Sequence, residues 1–136
     1  MTSAPAALRF QQLDGMRQQR TADVLIASGQ RVTSALAYDA AAQAYKKKPG
    51  KNALPELNTK CAAVAAGDDK QLAAVKDVVA VLEDSKKLVG EEKSKDPQWA
   101  QVETQLDKQL EALKSESTRI EGQKANDLKA CPKMTY

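Results

Sequence analysis

The clearest hydrophobic pattern in the chain lies between Leu54 and Val89. Core-type positions recur there at alternating three- and four-residue steps, after one seven-residue gap at the start. These positions are Leu54, Cys61, Ala65, Asp68, Leu72, Val75, Val79, Leu82, Lys86 and Val89. This heptad spacing is typical of a helix that packs one stripe against a partner helix. It predicts a helix over residues 54–90, and the unchanged phase across Gly67 favours continuity over a break with a new helix capped at Asp68.

The last third of the chain carries a second stripe behind a strong helix-start signal. Asp96 has the chemistry of an N-cap, and Pro97 suits the first helical position because it needs no N–H partner. The positions that follow are Trp99, Val102, Leu106, Leu110, Leu113, Ser117, Ile120, Lys124 and Leu128. Since Pro132 ends the pattern, we predict a helix over residues 97–130.

The first part of the chain is helical in composition, but its apolar face is ambiguous. We predict a flexible lead over residues 1–7 and a helix over residues 8–48. The aliphatic run at residues 24–26 and the alanine-rich stretch at residues 35–44 allow more than one stripe. The region is either one long helix or two helices with a kink near Gly29, where glycine weakens a helix by about 1 kcal/mol relative to alanine.

The two downstream helices fit each other in one antiparallel register. If the chain folds back at Asp96, residues whose numbers sum to 192 face each other, and Cys61 meets Cys131. The same register pairs Val64 with Leu128, Leu72 with Ile120, Val79 with Leu113, and Leu82 with Leu110. Antiparallel coiled coils pair a positions with d positions, as these pairs do. Three layers are imperfect, with Val75 opposite Ser117, Lys86 opposite Leu106, and Val89 opposite Glu103.

The two cysteines therefore predict a disulfide. A bond between Cys61 and Cys131 would close a loop of about 70 residues and contribute roughly 4 kcal/mol in the chain-entropy view. It would suit a thin core, because much of the 42% hydrophobic content is alanine and only 4% of the residues are aromatic. We predict a single all-α domain over residues 8–136: an antiparallel three-helix bundle or coiled-coil hairpin, stapled by one disulfide.

Charge and hydropathy indicate neither a nucleic-acid site nor a membrane span. The net charge is only +3, and the basic cluster of Lys46, Lys47, Lys48 and Lys51 is typical of a helix C-terminus. No apolar run approaches the ~20 residues that span a bilayer. Residues 1–15 have no continuous apolar core of a signal peptide, so an exported form would begin after a removed signal.

The residue inventory argues against catalysis. Histidine is absent, which removes Ser-His and Cys-His nucleophile pairs and histidine-containing metal sites. Two cysteines about 70 residues apart do not resemble a zinc ligand set or a CxxC motif. No glycine-rich phosphate loop is present. We therefore predict no enzyme activity, no catalytic residues, no cofactor and no metal.

The leading hypothesis is a non-catalytic protein-interaction module that binds a protein partner. It is periplasmic or secreted, because disulfides persist in oxidising compartments. Candidate roles are an inhibitor or immunity factor, a chaperone-like holder, and an accessory part of an envelope or secretion assembly. Its predicted contact residues, at the hairpin tip and on the first helix, are Glu91, Glu92, Trp99, Lys46, Lys47 and Lys48. For Trp99, packing into the core is the default interpretation, and an exposed partner anchor is the alternative.

Two other classes of function stay open. One is a cytosolic structural coiled-coil protein with reduced cysteines that self-associates through its first helix. Monomer and homodimer both agree with the pattern. The other is a small-ligand carrier with a slot between helices, which the low aromatic content disfavours.

Overall fold

The computed structural model describes residues 4–50 and 53–131, and within these ranges the protein consists of three α-helices without a strand. They are α1 (Ala4–Lys47), α2 (Ala53–Glu92) and α3 (Trp99–Ala130). Helix α2 contacts both α1 and α3. The predicted all-α, disulfide-stapled helix bundle is confirmed.

Helix α1 begins earlier than predicted. It starts at Ala4 and not at residue 8, so residues 4–7 are helical and the predicted lead is wrong there; residues 1–3 lie outside the described residues. Pro5 fits the first turn because an N–H group there has no intrahelical acceptor. Ala6 is buried in the apolar core, a tertiary contact that the sequence pattern does not reveal. The helix then runs through Gly29 as one element.

The connection between α2 and α3 confirms the capping prediction at Asp96. Oδ1 of Asp96 accepts a hydrogen bond from the backbone N–H of Gln98 at 3.0 Å. The N–H of Trp99 then donates to the carbonyl of Asp96 at 3.2 Å. Bonds to the third preceding residue make a tighter turn than the α-helix does. The α-helix therefore begins at Trp99, two residues later than predicted.

Helix α2 runs through Gly67 without a break, as the constant heptad phase predicted. It extends the predicted range of 54–90 by one residue at its start and two at its end, which is the usual spread of helix ends. Helix α1 closes with a hydrogen bond from the N–H of Lys48 to the carbonyl of Ala44 at 3.0 Å.

Contacts divide the chain into two compact units. Unit 1 comprises residues 1–24 and 73–118, and unit 2 comprises residues 25–72 and 119–136. Because α1, α2 and α3 each contribute to both units, neither unit is a contiguous stretch of sequence. The expectation of a single domain over residues 8–136 stays a prediction.

The predicted register between α2 and α3 is found in both units. In unit 2 the disulfide joins Cys61 to Cys131, with Cα atoms 5.6 Å apart. In unit 1, Nζ of Lys86 lies 2.7 Å from Oδ1 of Asp107. The residue numbers of these two pairs sum to 192 and 193, so the two helices are antiparallel in each unit with the predicted offset.

Unit 1 has an apolar core. Its buried cluster is formed by Ala6, Val78, Leu82, Val89, Trp99 and Leu106. Phe10 meets Trp99 edge-on, with ring centroids 5.5 Å apart and an interplanar angle of 74°, an arrangement that aromatic quadrupoles favour. Trp99 is only 6% exposed. Its indole therefore belongs to the core and is not an exposed contact.

The buried face of α2 is broader than the predicted stripe. Leu72 and Val79 are half-buried, and Lys86 is exposed. The neighbouring residues that are buried instead are Gln71, Val78 and Ser85. Since α2 packs against two helices, its buried face spans two seams and is wider than a single heptad stripe.

Unit 2 has a smaller and more polar core. Its described buried residues include Ala27, Leu57, Cys61, Val64, Ala65, Asp68, Gln71 and Ile120. The predicted layer of Val64 with Leu128 is wrong, because Leu128 is 52% exposed. Asp127 faces inward here and pairs with Arg31 of α1 at 2.7 Å. Adjacent helical residues point about 100° apart, so turning Asp127 inward moves Leu128 to the surface.

Candidate functional site

An exposed apolar face lies along the unit 2 part of α1. It is formed by Leu25 (71% exposed), Ile26 (59%), Val32 (48%) and Leu36 (65%). Leu25, Val32 and Leu36 share one side of the helix with Gly29, at steps of four, three and four residues. A Cβ atom on Gly29 would have no neighbour within 4 Å, so the surface is also open at its centre. We call these five residues the α1 apolar face.

Small and polar contacts on the other side of α1 leave these aliphatic residues outside. Ala27 is buried, and Arg31 forms inward ion pairs with α2 and α3. The Tyr38 hydroxyl donates to the carbonyl of Ala130 at 3.2 Å. These three residues recur at steps of four and seven, which places them on one side of a helix. The sequence pattern did not reveal this choice, because an aliphatic run at residues 24–26 ordinarily marks an inward side.

The predicted contact residues are distributed over both units. In unit 2, Lys46 and Lys47 form the last turn of α1, Lys48 follows it, and all three are exposed. In unit 1, Glu91 is exposed, and Glu92 is half-buried with a lysine Nζ 3.8 Å away. The lysines complement the negative end of the helix dipole. Their position is thus explained without a ligand.

A buried polar cluster lies inside unit 2, with members from all three helices. Nη2 of Arg31 (α1) donates to both carboxylate oxygens of Asp127 (α3), at 2.7 and 2.8 Å. Nε of Arg31 lies 3.3 Å from Oδ1 of Asp68 (α2). The same Oδ1 accepts a hydrogen bond from Nε2 of Gln123 at 2.6 Å, and this nitrogen lies 3.3 Å from Oε1 of Gln71. We call these five residues the buried polar cluster.

Glycine at position 67 brings α1 close enough to form this cluster. A Cβ atom on Gly67 would lie 2.9 Å from Cβ and 3.0 Å from Cα of Arg31. Contacts this short occur only where a side chain is missing. The close approach carries the Arg31 guanidinium across to Asp68, the next residue of α2. Sequence reasoning identified Asp68 as a core position but did not identify its partners.

The cluster holds two carboxyl groups against one guanidinium. Burial, together with the hydrogen bond and negative charge of Asp127, raises the pKa of Asp68 from 3.8 to about 6, while Gln123 and Arg31 act in the opposite direction. For Asp127, burial acts to raise the pKa, but hydrogen bonds from Asp68 and Arg31 outweigh it and the pKa is lowered. Oδ2 of Asp68 is buried without a hydrogen-bond partner among the described residues. The cluster thus contains a buried carboxyl group whose ionised form is disfavoured by its surroundings.

The disulfide and the buried polar cluster have a structural role in unit 2. Sγ of Cys131 lies 3.4 Å from the carbonyl oxygen of Asp127, so the disulfide and the cluster are neighbours. A cavity of about 310 Å³ beside them is lined in part by Arg31, Tyr38 and Cys61. In residues 4–50 and 53–131, no group of three or more His, Cys, Asp or Glu side chains is arranged to hold a metal. The charged groups pair with one another, apart from Oδ2 of Asp68, and the sulfurs are bonded to each other.

A groove of about 280 Å³ in unit 1 is the place where a small ligand would be sought. It is lined by Ala7, Phe10, Gln11, Gln98, Trp99 and Val102. The indole Nε1 of Trp99 is buried and has no hydrogen-bond partner in the described part of the chain. Because this atom is itself inaccessible to solvent, it is not an available donor in the groove. The groove therefore offers apolar contacts without a buried polar anchor.

None of the helices in the described ranges is long and apolar enough to cross a membrane. Comparison with known protein families, with curated proteins and with solved structures gives no match. The function must therefore be inferred from the residues of this chain.

Proposed function

We propose that this protein is a non-catalytic, exported interaction module that binds a protein partner through the α1 apolar face. Four large aliphatic side chains are exposed on a helix whose inward contacts are already made by smaller and polar residues. Contiguous exposed apolar surface of this kind marks interaction sites in soluble proteins. This exposed face is the observation that carries the proposal.

The disulfide supports a periplasmic or secreted location. Cys61 and Cys131 are bonded to each other and leave no free thiol. Such bonds persist in oxidising compartments and are rare in the cytosol. Thiol titration of protein isolated from its native host without reductant tests the location. Absence of free thiols is expected, and two free thiols would favour the cytosolic coiled-coil alternative.

The pairing of the buried charges supports a non-catalytic role. Catalytic acids and bases must reach a substrate, whereas Asp68 is fully buried and engaged by Arg31 and Gln123. A binding module of this type would serve as an inhibitor or immunity factor, as a chaperone-like holder, or as an accessory part of an envelope or secretion assembly. Lys46, Lys47 and Lys48 lie in the same unit as the α1 apolar face and would add a basic edge to the contact.

Site-specific photo-crosslinking in the native host tests the contact surface. A benzophenone amino acid replaces Leu36 in the α1 apolar face, and a control variant carries it at Ala125, an exposed position of α3 in the same unit. We expect a discrete protein adduct from position 36 and none from position 125. Equal labelling from both positions, or no adduct from position 36, would contradict the proposal.

A further inference from the structure

The α1 apolar face is uncharged along the helix that carries it. From Leu25 to Ala44 the residues on this side are Leu25, Ile26, Gly29, Val32, Thr33, Leu36, Ala37, Ala40, Gln43 and Ala44. The charged residues of the same stretch are Arg31, which pairs inward with Asp68 and Asp127, and Asp39 at the flank. Two copies of this face could therefore pack together without bringing like charges close to each other.

The spacing of this face is self-complementary in the antiparallel direction. A two-fold axis between residues 30 and 31 would place Leu25 opposite the second copy's Leu36. The same axis places Val32 opposite the second copy's Gly29. A symmetric contact requires that residue i meets j while j meets i, and both pairs satisfy this with one axis. The open surface at Gly29, with nothing within 4 Å of a Cβ position, provides room for the valine.

We propose that the partner of the α1 apolar face is a second copy of this chain, bound antiparallel with Leu25 on Leu36 and Val32 on Gly29. This inference rests on the proposed function, since it names the occupant of the same surface. A membrane surface is a poorer occupant because interfacial helices carry Lys and Arg beside the apolar side. Here the charged residues within 25–44 are the acidic Asp39 and the inward Arg31, and the exposed lysines are confined to the helix end at residues 46–48.

The size of the face indicates a reversible dimer. Residues 25–36, which this axis pairs with one another, extend about 18 Å along the helix, and the contact is one helix wide. Stable complexes bury ~1,200–2,000 Å² in total, and a single helix pair of this length lies at or below the low end of that range. We therefore expect dissociation in the micromolar range, roughly 10–100 μM.

Variants that introduce opposite charges at positions 25 and 36 of the disulfide-bonded full chain test whether the dimer forms and whether its helices are antiparallel. Sedimentation equilibrium from about 1 to 500 μM compares the wild type with Leu25→Lys, Leu36→Glu and the double variant. Both side chains are exposed in the single chain, so helix content and melting temperature should stay unchanged. We expect each single variant to weaken the dimer at least tenfold and the double variant to restore it. In a parallel pair, the double variant would place like charges together and would stay monomeric.

The outcomes separate this inference from the broader proposal. A wild type that stays monomeric at 500 μM overturns the second copy as occupant. If position 36 still crosslinks a different protein in the host, the interaction module stands with another partner. A dimer that ignores the single variants places the contact elsewhere and overturns the inference, as does a double variant that fails to recover. A crosslinked adduct of twice the chain mass from position 36, together with recovery in the double variant, supports both proposals.

Discussion

Units 1 and 2 contain segments of the same three helices but hold them together by different means. Unit 1 buries bulky aliphatic and aromatic side chains such as Leu82 and Trp99. Unit 2 buries fewer of them, adds charged and amide groups around Asp68, and is crosslinked from Cys61 to Cys131. Apolar burial is the main stabilising force in unit 1. Unit 2 depends more on a covalent bond and on buried polar groups that pair across the helices.

This difference also bears on function. In unit 2 the inward side of α1 is formed by residues such as Ala27, Arg31 and Tyr38, so the large aliphatic residues of that segment lie outside. A core of small and polar groups thus leaves apolar side chains available for a partner. The interaction surface and the polar interior are two consequences of one helix orientation.

Loss of the disulfide is expected to have the largest effect and to act on unit 2. Opening a loop of about 70 residues should lower the free energy of unfolding by about 4 kcal/mol. Urea titrations of the oxidised and reduced wild type measure this loss. Hydrogen exchange should show that amide protection in residues 57–71 falls more than in residues 78–89, because only unit 2 loses its crosslink.

The double variant Cys61→Ala/Cys131→Ala controls for the reductant. The free energy of unfolding of this variant should equal that of the reduced wild type, apart from the small loss of packing where two sulfur atoms are removed. Added reductant should not change it. If reduced and oxidised protein unfold at the same urea concentration, the crosslink does not support unit 2. If protection falls equally in both units, they respond as one, and unit 2 does not depend on the crosslink more than unit 1 does.

The second prediction concerns pH and the buried polar cluster. The pKa of Asp68 is raised from 3.8 to about 6 in the folded protein, so the folded state binds this proton more tightly than the unfolded state does. The free energy of unfolding should therefore fall as pH rises from about 4 to 6, by about 3 kcal/mol for a fully buried carboxyl group. For Asp127 the pKa is lowered, so its contribution is lost only at lower pH.

The variant Asp68→Asn isolates this effect. It removes the titrating group and keeps an oxygen for Gln123, so stability should become flat between pH 4 and 6 and should at least equal the wild type at pH 7.5. Urea titrations at intervals of one pH unit measure both. The matched control is Asp69→Asn, which removes an exposed carboxylate that lies 2.7 Å from Nζ of Lys124 and should keep the wild-type slope. A wild type whose stability rises steadily from pH 4 to 7 would contradict the raised pKa.

The register between α2 and α3 was predictable because three independent signals agree on it. The heptad phase, the cap at Asp96 and the two cysteines select one offset, and the structure has that offset. The exact buried positions of α2 were less predictable. A periodic pattern locates the centre of a stripe, but the width depends on how many helices pack against it, and α2 packs against two.

The surroundings of Asp68 and the face of α1 were not predictable from periodicity. Asp68 stood at a core position of the heptad, yet its partner Arg31 lies in a helix whose stripe was ambiguous. Which side of α1 turns inward is decided by long-range pairs such as Arg31 with Asp127. Such pairs join residues that are far apart in sequence, and no local pattern records them. Leu25 and Leu36 were therefore missed as surface residues.

The smallest expected effect concerns alanine substitutions at two glycines of unit 2. Gly67 and Gly122 both lie inside helices, where alanine is intrinsically better by about 1 kcal/mol. A Cβ on Gly122 meets nothing within 4 Å, whereas a Cβ on Gly67 would press on the Arg31 backbone at 3.0 Å. Gly122→Ala should therefore raise the free energy of unfolding by up to about 1 kcal/mol. Gly67→Ala should lower it by about 1–2 kcal/mol, the usual cost of overpacking.

The sign of the difference between these variants is the informative quantity. Both changes have the same helix propensity term, so opposite signs measure the close approach of α1 to α2 directly. Urea titration of both proteins with the disulfide intact gives the comparison. If Gly67→Ala is as stabilising as Gly122→Ala, Arg31 is not held against α2 by close backbone packing. The buried polar cluster would then form without the glycine, and the orientation of α1 would need another cause.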